Sequence, residues 1–372
     1  MGSATLYHLA LRGQRALGLE QFAAGHTLGS SHGDSRIIRE QYFEHPLYVP
    51  LVQRAYQLWR ELEVHTNRSL MTITGGLMIG PPAGAVVTGT LKSATQHGLA
   101  HEVLDAAEVH ARFPAFDLRP DLVAVLDPHA GILDPEACNA AHLDAARRAG
   151  AEARFSEGII RWSPDGDGVR VVTTGATYFA DQLVLAAGAW NRQLLPELDL
   201  PLSVERQVLF WLDPRESAVS YEPSRFPIYA YEYVHGEICY GFPRLSRGVK
   251  ASVMHGGQRA SRPESVRREI ADAEVEPLRA ALRPVLPGLA AAPVRESAVC
   301  LFTNTPDRDF LIDWHPEHKH VLISSPCSGH GFKFASAIGE LQAELLVTGT
   351  SSFELTPFRI DRLVTTHHGR AE

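Results

Sequence analysis

The sequence is poor in the features that mark three classes of protein. It has four cysteines in 372 residues and no Cys-x-x-Cys pair, so it lacks a disulfide framework and suits a reducing, cytoplasmic compartment. Its 35 basic residues are outnumbered by 43 acidic ones, which argues against nucleic acid as a partner. No apolar run approaches the roughly 20 residues of a membrane span, and no signal segment opens the chain.

What is present fits an enzyme of two domains. Hydrophobic residues make up 45% of the chain and charged residues 21%, as in folded globular proteins. Strand and helix patterns alternate in the outer parts, with strands over 16–19, 182–185 and 321–325 and helices over 135–150 and 331–346. The stretch 206–256 is rich in β-branched and aromatic residues, which predicts an antiparallel sheet. We therefore expect an α/β fold: a discontinuous Rossmann-like domain with an inserted antiparallel β-sheet and helices.

Some segments between these predict further elements. Apolar spacing indicates helices over 49–64, 84–98, 105–113 and 262–286, and a polar helix starting around 36–39. Residues 72–79 have the pattern of one strand, and a hairpin is expected across 165–168.

The first twenty residues match the second half of a dinucleotide-binding βαβ unit. Gly2 heads a helix, Gly13 closes it, and a short strand carries Glu20 at its end. In the complete unit a strand and a Gly-x-Gly-x-x-Gly turn lead into the helix, and the helix N-terminus faces the pyrophosphate. The acidic residue at the end of the second strand binds the ribose. On its own this pattern is weak.

Six motifs in order resemble the family of monomeric sarcosine oxidase and N-methyl-tryptophan oxidase, a branch of the FAD-dependent amine oxidoreductases with a D-amino-acid-oxidase-like fold. The motifs are 29–39 (GSSHGDSRIIR), 48–51 (YVPL), 186–190 (AAGAW), 240–243 (YGFP), 298–300 (AVC) and 328–334 (SGHGFKF). The resemblance covers essentially the whole chain, and its specificity comes from several ordered motifs. It also implies that about a dozen residues, one strand and the first two glycines, would precede Met1 in the complete fingerprint.

The resemblance implies a reaction and a cofactor. FAD would be bound covalently through Cys300, and a secondary amine or N-methyl amino acid would be the substrate. Hydride would pass to FAD and O2 would be the acceptor, giving hydrogen peroxide and an imine that hydrolyses to aldehyde and amine. The FAD-binding domain would comprise 1–75, 135–205 and 295–372, the substrate domain would comprise 76–134 and 206–294, and the protein would be a monomer.

The resemblance also assigns roles to residues. Arg39 and Lys333 would hold the substrate carboxylate, Tyr240 would line the pocket, and Lys250 would activate oxygen. Arg36 and His32 would lie on the opposite flavin face. The predicted cofactor contacts are Cys300, Gly2, Glu20, Ser30, Ser31, His32, Arg36, Gly188, Trp190, Gly329, Gly331, Phe332 and Lys333.

The sequence departs from the family at three places. A histidine often follows the oxygen-activating lysine by four residues, but here that position is Met254 and the histidine is His255. A shift of one residue on a strand turns a side chain to the other face, so His255, although included among the predicted catalytic residues, is expected to face differently from the family's histidine. Phe302 replaces a tyrosine, which suggests a more apolar pocket, and Ser31 replaces the first histidine of a His-His pair.

Other interpretations remain open from the sequence. The same fold could serve an amine dehydrogenase that uses another electron acceptor, or a chain shortened at its N-terminus that cannot bind FAD. His315, His318 and His320 are spaced as metal ligands can be, but the family match favours a solvated turn and no metal is expected.

Overall fold

We describe the protein from a computed structural model of the chain. It defines residues 1–363, except for the side chains at positions 216 and 217, so the end of the predicted 295–372 range lies outside the described residues. Its α-helices are α1 (Gly2–Leu11), α2 (Val49–Thr66), α3 (Ala85–His97), α4 (Ala106–Arg112), α5 (Pro135–Arg148), α6 (Asn191–Leu194), α7 (Glu276–Leu282), α8 (Pro287–Ala290) and α9 (Ala335–Thr348). No described helix has the length and apolar character needed to cross a membrane.

The strands fall into five sheets. In chain order they are β1 (Leu17–Leu19), β2 (Arg36–Ile38), β3 (Met71–Ile73), β4 (Gly76–Gly80), β5 (Glu102–Leu104), β6 (Val123–Asp127), β7 (Gly131–Leu133), β8 (Glu152–Arg154), β9 (Ile159–Asp165), β10 (Gly168–Thr173), β11 (Thr177–Ala180), β12 (Leu183–Leu185), β13 (Ser203–Leu212), β14 (Ile228–Val234), β15 (Glu237–Leu245), β16 (Gly248–Met254), β17 (Arg259–Ala260), β18 (Val294–Asn304), β19 (Leu311–Trp314) and β20 (Val321–Ser325).

Four helices build the core of the α/β part. Helix α1 packs between α5 and α9, and α2 covers the same cluster of buried side chains. Helix α5 begins where the sequence predicts, because the Asp134 carboxylate accepts a hydrogen bond from the Ala137 N–H at 2.8 Å and Pro135 occupies the first helical position. The close crossing of α1 and α9 depends on Gly339, since a Cβ there would lie 2.5 Å from the Ala4 carbonyl carbon.

Two separate sheets of the α/β part contain short parallel strands. Strand β1 pairs in parallel with β8, and β12 pairs in parallel with β20, whose other edge carries antiparallel β19. Among residues 1–363, β1 and β12 each have one partner, so each has one open edge. Leu17 and Leu19 of β1 line the same cavity as Leu183 and Leu185 of β12, so the two open edges border a common cleft.

The second part is built on a nine-stranded sheet, with most strands from the predicted insertion. Its order is β17-β13-β16-β15-β14-β4-β6-β5, with β18 also paired to β13. The predicted antiparallel pairing is confirmed between β13 and β16, between β16 and β15, and between β15 and β14. The sheet is not antiparallel throughout, because the other edge of β14 pairs in parallel with β4. Strand β18 lies in the range predicted for the cofactor domain, yet it pairs with β13 along its length. The sheet therefore joins three separate parts of the chain.

Three local predictions are wrong for identifiable reasons. Residues 36–38 form strand β2 and not the start of a helix, because their backbone pairs with β7. Residues 72–79 split into β3 and β4, since Gly75 has φ +71° and bends the chain between them. Within 262–286 only Glu276–Leu282 is α-helical, and Pro263 and Glu264 belong to a short 3-10 turn. The hairpin across 165–168 is confirmed by the pairing of β9 with β10.

Candidate active site

One large cavity lies between the α/β part and the nine-stranded sheet. Its volume is about 1210 Å³, which exceeds the usual range for a small-ligand pocket. Fifteen of the residues that the sequence predicts as site residues line it: Gly2, Glu20, Ser30, Ser31, Arg36, Arg39, Gly188, Trp190, Tyr240, Lys250, Cys300, Gly329, Gly331, Phe332 and Lys333. The fold therefore brings most of the predicted site to one place, and His32 and His255 are not among the lining residues.

The N-terminus of α1 opens into this cavity, because Met1, Gly2 and Ser3 all line it. The first N–H groups of a helix have no intrahelical acceptor, and Met1 supplies no side-chain cap. Such a helix end favours an anionic group. Glu20 follows β1 on the same wall, and its carboxylate accepts a hydrogen bond from the Phe22 N–H at 3.0 Å. This wall has the chemical groups that a dinucleotide needs.

The loop before β2 is held by Arg36. Its guanidinium donates to the carbonyl oxygens of Ser35 at 2.7 Å and of Ser30 and His32 at 2.6 Å each. Ser30 is also fixed from the other side, since its hydroxyl donates to the Leu301 carbonyl at 2.6 Å. Arg36 thus supplies positive charge to the cavity wall while its partners are neutral carbonyls.

Cys300 lies on β18 directly behind this loop. Its side chain is buried, and its Sγ is 3.8 Å from the Arg36 Nη2 and 3.8 Å from the Ser30 carbonyl. The thiol is therefore beside a cation on the wall of the cavity.

His32 is buried behind the same loop, with only 3% of its surface exposed. Burial, reinforced by the positive charge of Arg36, lowers the pKa of His32 to about 4. Its Nε2 has no hydrogen-bond partner among residues 1–363. A neutral ring with a buried free nitrogen has an unmet hydrogen bond, which a ligand could satisfy.

Lys250 extends from β16 to the other end of the loop. Its ammonium donates to the carbonyl oxygens of Gly33 at 2.7 Å and Ser35 at 2.5 Å, and lies 4.2 Å from the centre of the Phe242 ring. Burial, with Arg36 as the next cause, holds the pKa of Lys250 well below its usual value.

Arg39 and Lys333 meet at a third place on the wall. The Arg39 Nη2 contacts both carboxylate oxygens of Glu44, at 2.7 and 2.5 Å, and Nη1 donates to the Gln41 carbonyl at 3.0 Å. The guanidinium packs on the rings of Tyr42 and Phe43. Lys333 donates to the His330 carbonyl at 2.7 Å. Burial, and then the charge of Arg39, lowers the pKa of Lys333 to about 7. The two basic side chains and the Glu44 carboxylate therefore lie together on this part of the wall.

Two segments shape the remaining wall. Tyr240 lies there with Ala230, Ile238, Phe242 and Met254, and burial raises the pKa of Tyr240 to about 12. Gly331 permits the tight turn before α9, because a Cβ there would lie 1.8 Å from the Pro326 carbonyl oxygen.

His255 does not line the cavity, and its side chain contacts Glu205 instead. It follows the end of β16 with φ +67°, and its Nδ1 is 3.2 Å from the Glu205 carboxylate. Glu205 also accepts hydrogen bonds from Gly257 N–H at 3.0 Å and from the Asn304 amide at 2.5 Å. Met254 lines the cavity in its place. The His255 ring lies behind that wall, with its centre 5.4 Å from the centre of the Phe302 ring and its edge close to Gly329.

Comparisons with known proteins agree with this arrangement. A family model for FAD dependent oxidoreductases matches residues 1–345. The chain belongs to this oxidoreductase family. It is 44% identical over 367 residues to the monomeric sarcosine oxidase of Streptomyces avermitilis, covering 98% of this chain and 95% of that protein. It is 35% identical to the N-methyl-L-tryptophan oxidase of Salmonella agona, covering 97% and 96%.

A solved structure of NikD, an unusual amino acid oxidase, superimposes on this oxidoreductase with a TM-score of 0.82 at 25% identity, covering 96% of this chain and 94% of that one. The α/β fold with mixed sheets is therefore that of the family, and the resemblance drawn from the sequence motifs is confirmed. The cavity fits FAD in chemical terms, since it combines the α1 N-terminus, Glu20, the basic side chain of Arg36 and the close turn at Gly331.

The sequence motifs did not identify every charged residue of the site. Glu44 follows Arg39 by five residues, but no sequence pattern marked it as the partner of that arginine. Arg268 also lies close to Cys300 and donates to the Leu28 carbonyl at 2.7 Å. Residues 1–363 contain no group of three or more His, Cys, Asp and Glu side chains placed to hold a metal ion.

The buried Lys333 predicts a pH dependence of stability. The pKa of Lys333 is about 7 in the folded protein and near 10.5 when exposed, so the unfolded chain binds more protons between these values. The free energy of unfolding should therefore rise with pH across this window. In Lys333→Met this rise should be reduced, whereas the exposed Lys92→Met should behave as the unaltered protein. Urea unfolding at several pH values measures it, and parallel curves for all three proteins would contradict it.

Proposed function

We propose that the protein is a flavin-dependent oxidase of a secondary amine or N-methyl amino acid, of the sarcosine or N-methyl-tryptophan type. The observation that carries the proposal is the placement of Arg39, Lys333, Lys250 and Cys300 around one cavity. A carboxylate site, an oxygen-facing cation and a thiol for cofactor attachment are the groups that such a reaction needs. The names of the relatives in the same family support this substrate class.

The substrate carboxylate would be held by Arg39 and Lys333. A guanidinium binds a carboxylate at two points, and an ammonium adds a further charge-assisted hydrogen bond. Because Nη2 of Arg39 already contacts Glu44 and Nη1 already donates to the Gln41 carbonyl, an incoming carboxylate would have to displace one of these partners or share the arginine with it. Fixing the carboxylate would set the position of the C–H bond next to nitrogen, which is mainly an orientation effect.

Bound FAD would supply the two-electron chemistry, accepting hydride from that carbon and giving the electrons to O2, with hydrogen peroxide as product. Lys250 would place a positive charge where oxygen takes up its first electron. Arg36 would stabilise negative charge near the cofactor, and the neutral His32 would offer its free nitrogen. Released imine would hydrolyse to an aldehyde and an amine.

The pocket beside Tyr240 favours an apolar substituent. Ala230, Ile238, Phe242 and Met254 line this wall, and Phe302 contributes an aromatic ring without a hydroxyl. Apolar surface of this kind binds an apolar side chain through burial. The division into cofactor and substrate domains, and the monomeric state, remain predictions.

We also infer that the cleft between β1 and β12 takes one further parallel strand. The open edges of both strands have unpaired hydrogen-bonding groups. Leu17, Leu19, Leu183 and Leu185 make the cleft apolar, as the faces of a buried parallel strand require. Such a strand would lead into α1 and complete the nucleotide-binding unit.

The substrate proposal predicts peroxide release from N-methyl amino acids. Sarcosine, N-methyl-tryptophan, N-methyl-alanine, proline and pipecolate form the test panel. Arg39→Met should lower kcat/KM roughly a hundredfold for the best of them, because a charged two-point contact is lost. The exposed Arg119→Met is the control. An amine without a carboxylate should be insensitive to Arg39→Met. Reduction of the protein by these amines without reaction on admitting air would favour a dehydrogenase, and no reaction with any amine would refute the proposal.

The attachment proposal predicts flavin that resists acid. After acid precipitation the unaltered protein should keep its yellow colour in the pellet, because a thioether to Cys300 is stable there. Cys300→Ser should release all flavin to the supernatant. Cys327→Ser, which changes another cysteine on the same cavity wall, should behave as the unaltered protein. Complete release from the unaltered protein would rule out the covalent link.

The strand proposal predicts that a strand-forming segment added before Met1 raises thermal stability and FAD affinity. A segment of alternating valine and isoleucine ending in Gly-x-Gly, added before Met1, should raise both the thermal midpoint and the FAD affinity, the latter by roughly tenfold or more. The same segment with two prolines cannot complete the ladder and serves as control. Equal FAD affinity for both extended proteins would contradict the inference.

A further inference from the structure

The segment Gly33–Asp34–Ser35 forms an unusually tight turn. The Ser35 N–H donates to the Gly33 carbonyl at 2.8 Å, which closes a three-residue turn, and Asp34 at its centre has φ +56°. A three-residue turn with a positive φ at its centre is the rare and strained form. Strain of this kind persists only when the surroundings hold it.

Lys250 holds this turn from inside. Its ammonium binds the carbonyl oxygens of Gly33 and Ser35, the two residues on either side of Asp34. Only 2% of Lys250 is exposed, yet it lines the cavity. Two of its three N–H donors have acceptors among residues 1–363, which leaves the third for a ligand.

The Asp34 side chain is anchored on the far side of the same lysine. Its carboxylate accepts a hydrogen bond from the Trp211 Nε1 at 3.1 Å and pairs with Arg247 at 3.4 Å. The Arg247 guanidinium stacks on the Trp211 ring at 3.6 Å. Trp211 is in turn the cross-strand partner of Lys250. The carboxylate is therefore fixed beside the lysine by contacts that the turn alone does not provide.

Opposing charges act on Lys250. Arg36 on β2 disfavours its charged form, as does burial, whereas Asp34, Glu136 of α5 and Cys300 of β18 favour it. Glu136 is close because its carboxylate accepts a hydrogen bond from the Gly33 N–H at 2.6 Å. The other charged or titratable groups near this cluster are His32, Tyr240, Arg247 and Glu296.

We propose that Asp34 is a positioning residue for Lys250: its turn directs the ammonium into the cavity, and its carboxylate keeps that ammonium charged for the reaction with oxygen. This inference rests on the proposed oxidase function. Asp34 touches neither substrate nor oxygen in this role and acts only through the lysine.

The kinetic test uses holoprotein whose flavin is reduced anaerobically by light with oxalate as the electron donor, so no amine substrate is required. Reoxidation by O2 is followed over about pH 6 to 9. Asp34→Asn keeps an acceptor for Trp211 and tolerates positive φ, so it removes charge with little change of shape. The upper pH limit of reoxidation should fall by about one unit, and the rate near pH 8 roughly tenfold. Glu296→Gln, which removes the other carboxylate bound by Arg247, should leave the pH limit unchanged.

A second test needs no flavin activity. In FAD-free protein, Asp34→Asn should lower the urea midpoint most at low pH, where Lys250 carries its proton. The loss should shrink as pH rises and the lysine becomes neutral, because the attraction then disappears. In a Lys250→Met background the pH-dependent part of the loss should be absent, while the part due to Arg247 remains.

Two outcomes would overturn the inference: an identical pH limit of reoxidation in Asp34→Asn and the unaltered protein, or a stability loss that does not depend on Lys250. If Lys250→Met reoxidises as fast as the unaltered protein, the proposed oxygen role of Lys250 fails, and with it the role of Asp34. The urea midpoints of FAD-free Asp34→Asn, alone and in the Lys250→Met background, would then still show whether the two charges interact.

Discussion

The site depends on buried cations that are solvated by backbone carbonyl oxygens. Arg36 binds three carbonyls, Lys250 two and Lys333 one. Carbonyl dipoles stabilise a cation in place of water without cancelling its charge, whereas a carboxylate partner would cancel it. This part of the wall therefore carries three basic groups without a direct carboxylate partner among residues 1–363, although burial lowers the pKa of Lys250 and Lys333. That wall suits an anionic substrate and the negative charge that builds up on a reduced cofactor and on oxygen.

Arg39 is the exception, and its difference is informative. Of these four basic residues, Arg39 alone pairs directly with a carboxylate among residues 1–363, that of Glu44. A buried guanidinium without a partner is costly, so an internal carboxylate protects the free protein. In the proposed function the same partner would compete with the substrate carboxylate, which would lower affinity and favour ligands whose carboxylate can replace it. Stability of the empty site and affinity for the substrate would then be opposed at this position.

The sequence predicted the residues of the site better than their connections. Arg39, Cys300 and Lys333 each lie in one of the six motifs, Lys250 was added by the resemblance as a whole, and all four line one cavity. The motifs could not reveal the partners of Glu44 or Asp34, which are set by turns. The parallel pairing of β4 with β14 was equally hidden, because periodicity shows which residues are buried but not which strands are neighbours. The helix expected over 36–39 failed since pairing with β7 outweighed local preference.

The pairing of β4 with β14 has a consequence for how the chain acquires its shape. Gly76 meets Ile228, so the centre of the large sheet joins positions about 150 residues apart. Contacts so distant along the chain close slowly, because loop entropy must be overcome before any contact forms. Strand β13 likewise cannot pair along its length until β18, some ninety residues later in the chain, is available. The cavity wall made by Tyr240, Lys250 and Cys300 can therefore form only after almost the whole chain has been synthesised, which makes ligand binding a late event that reports on completed folding.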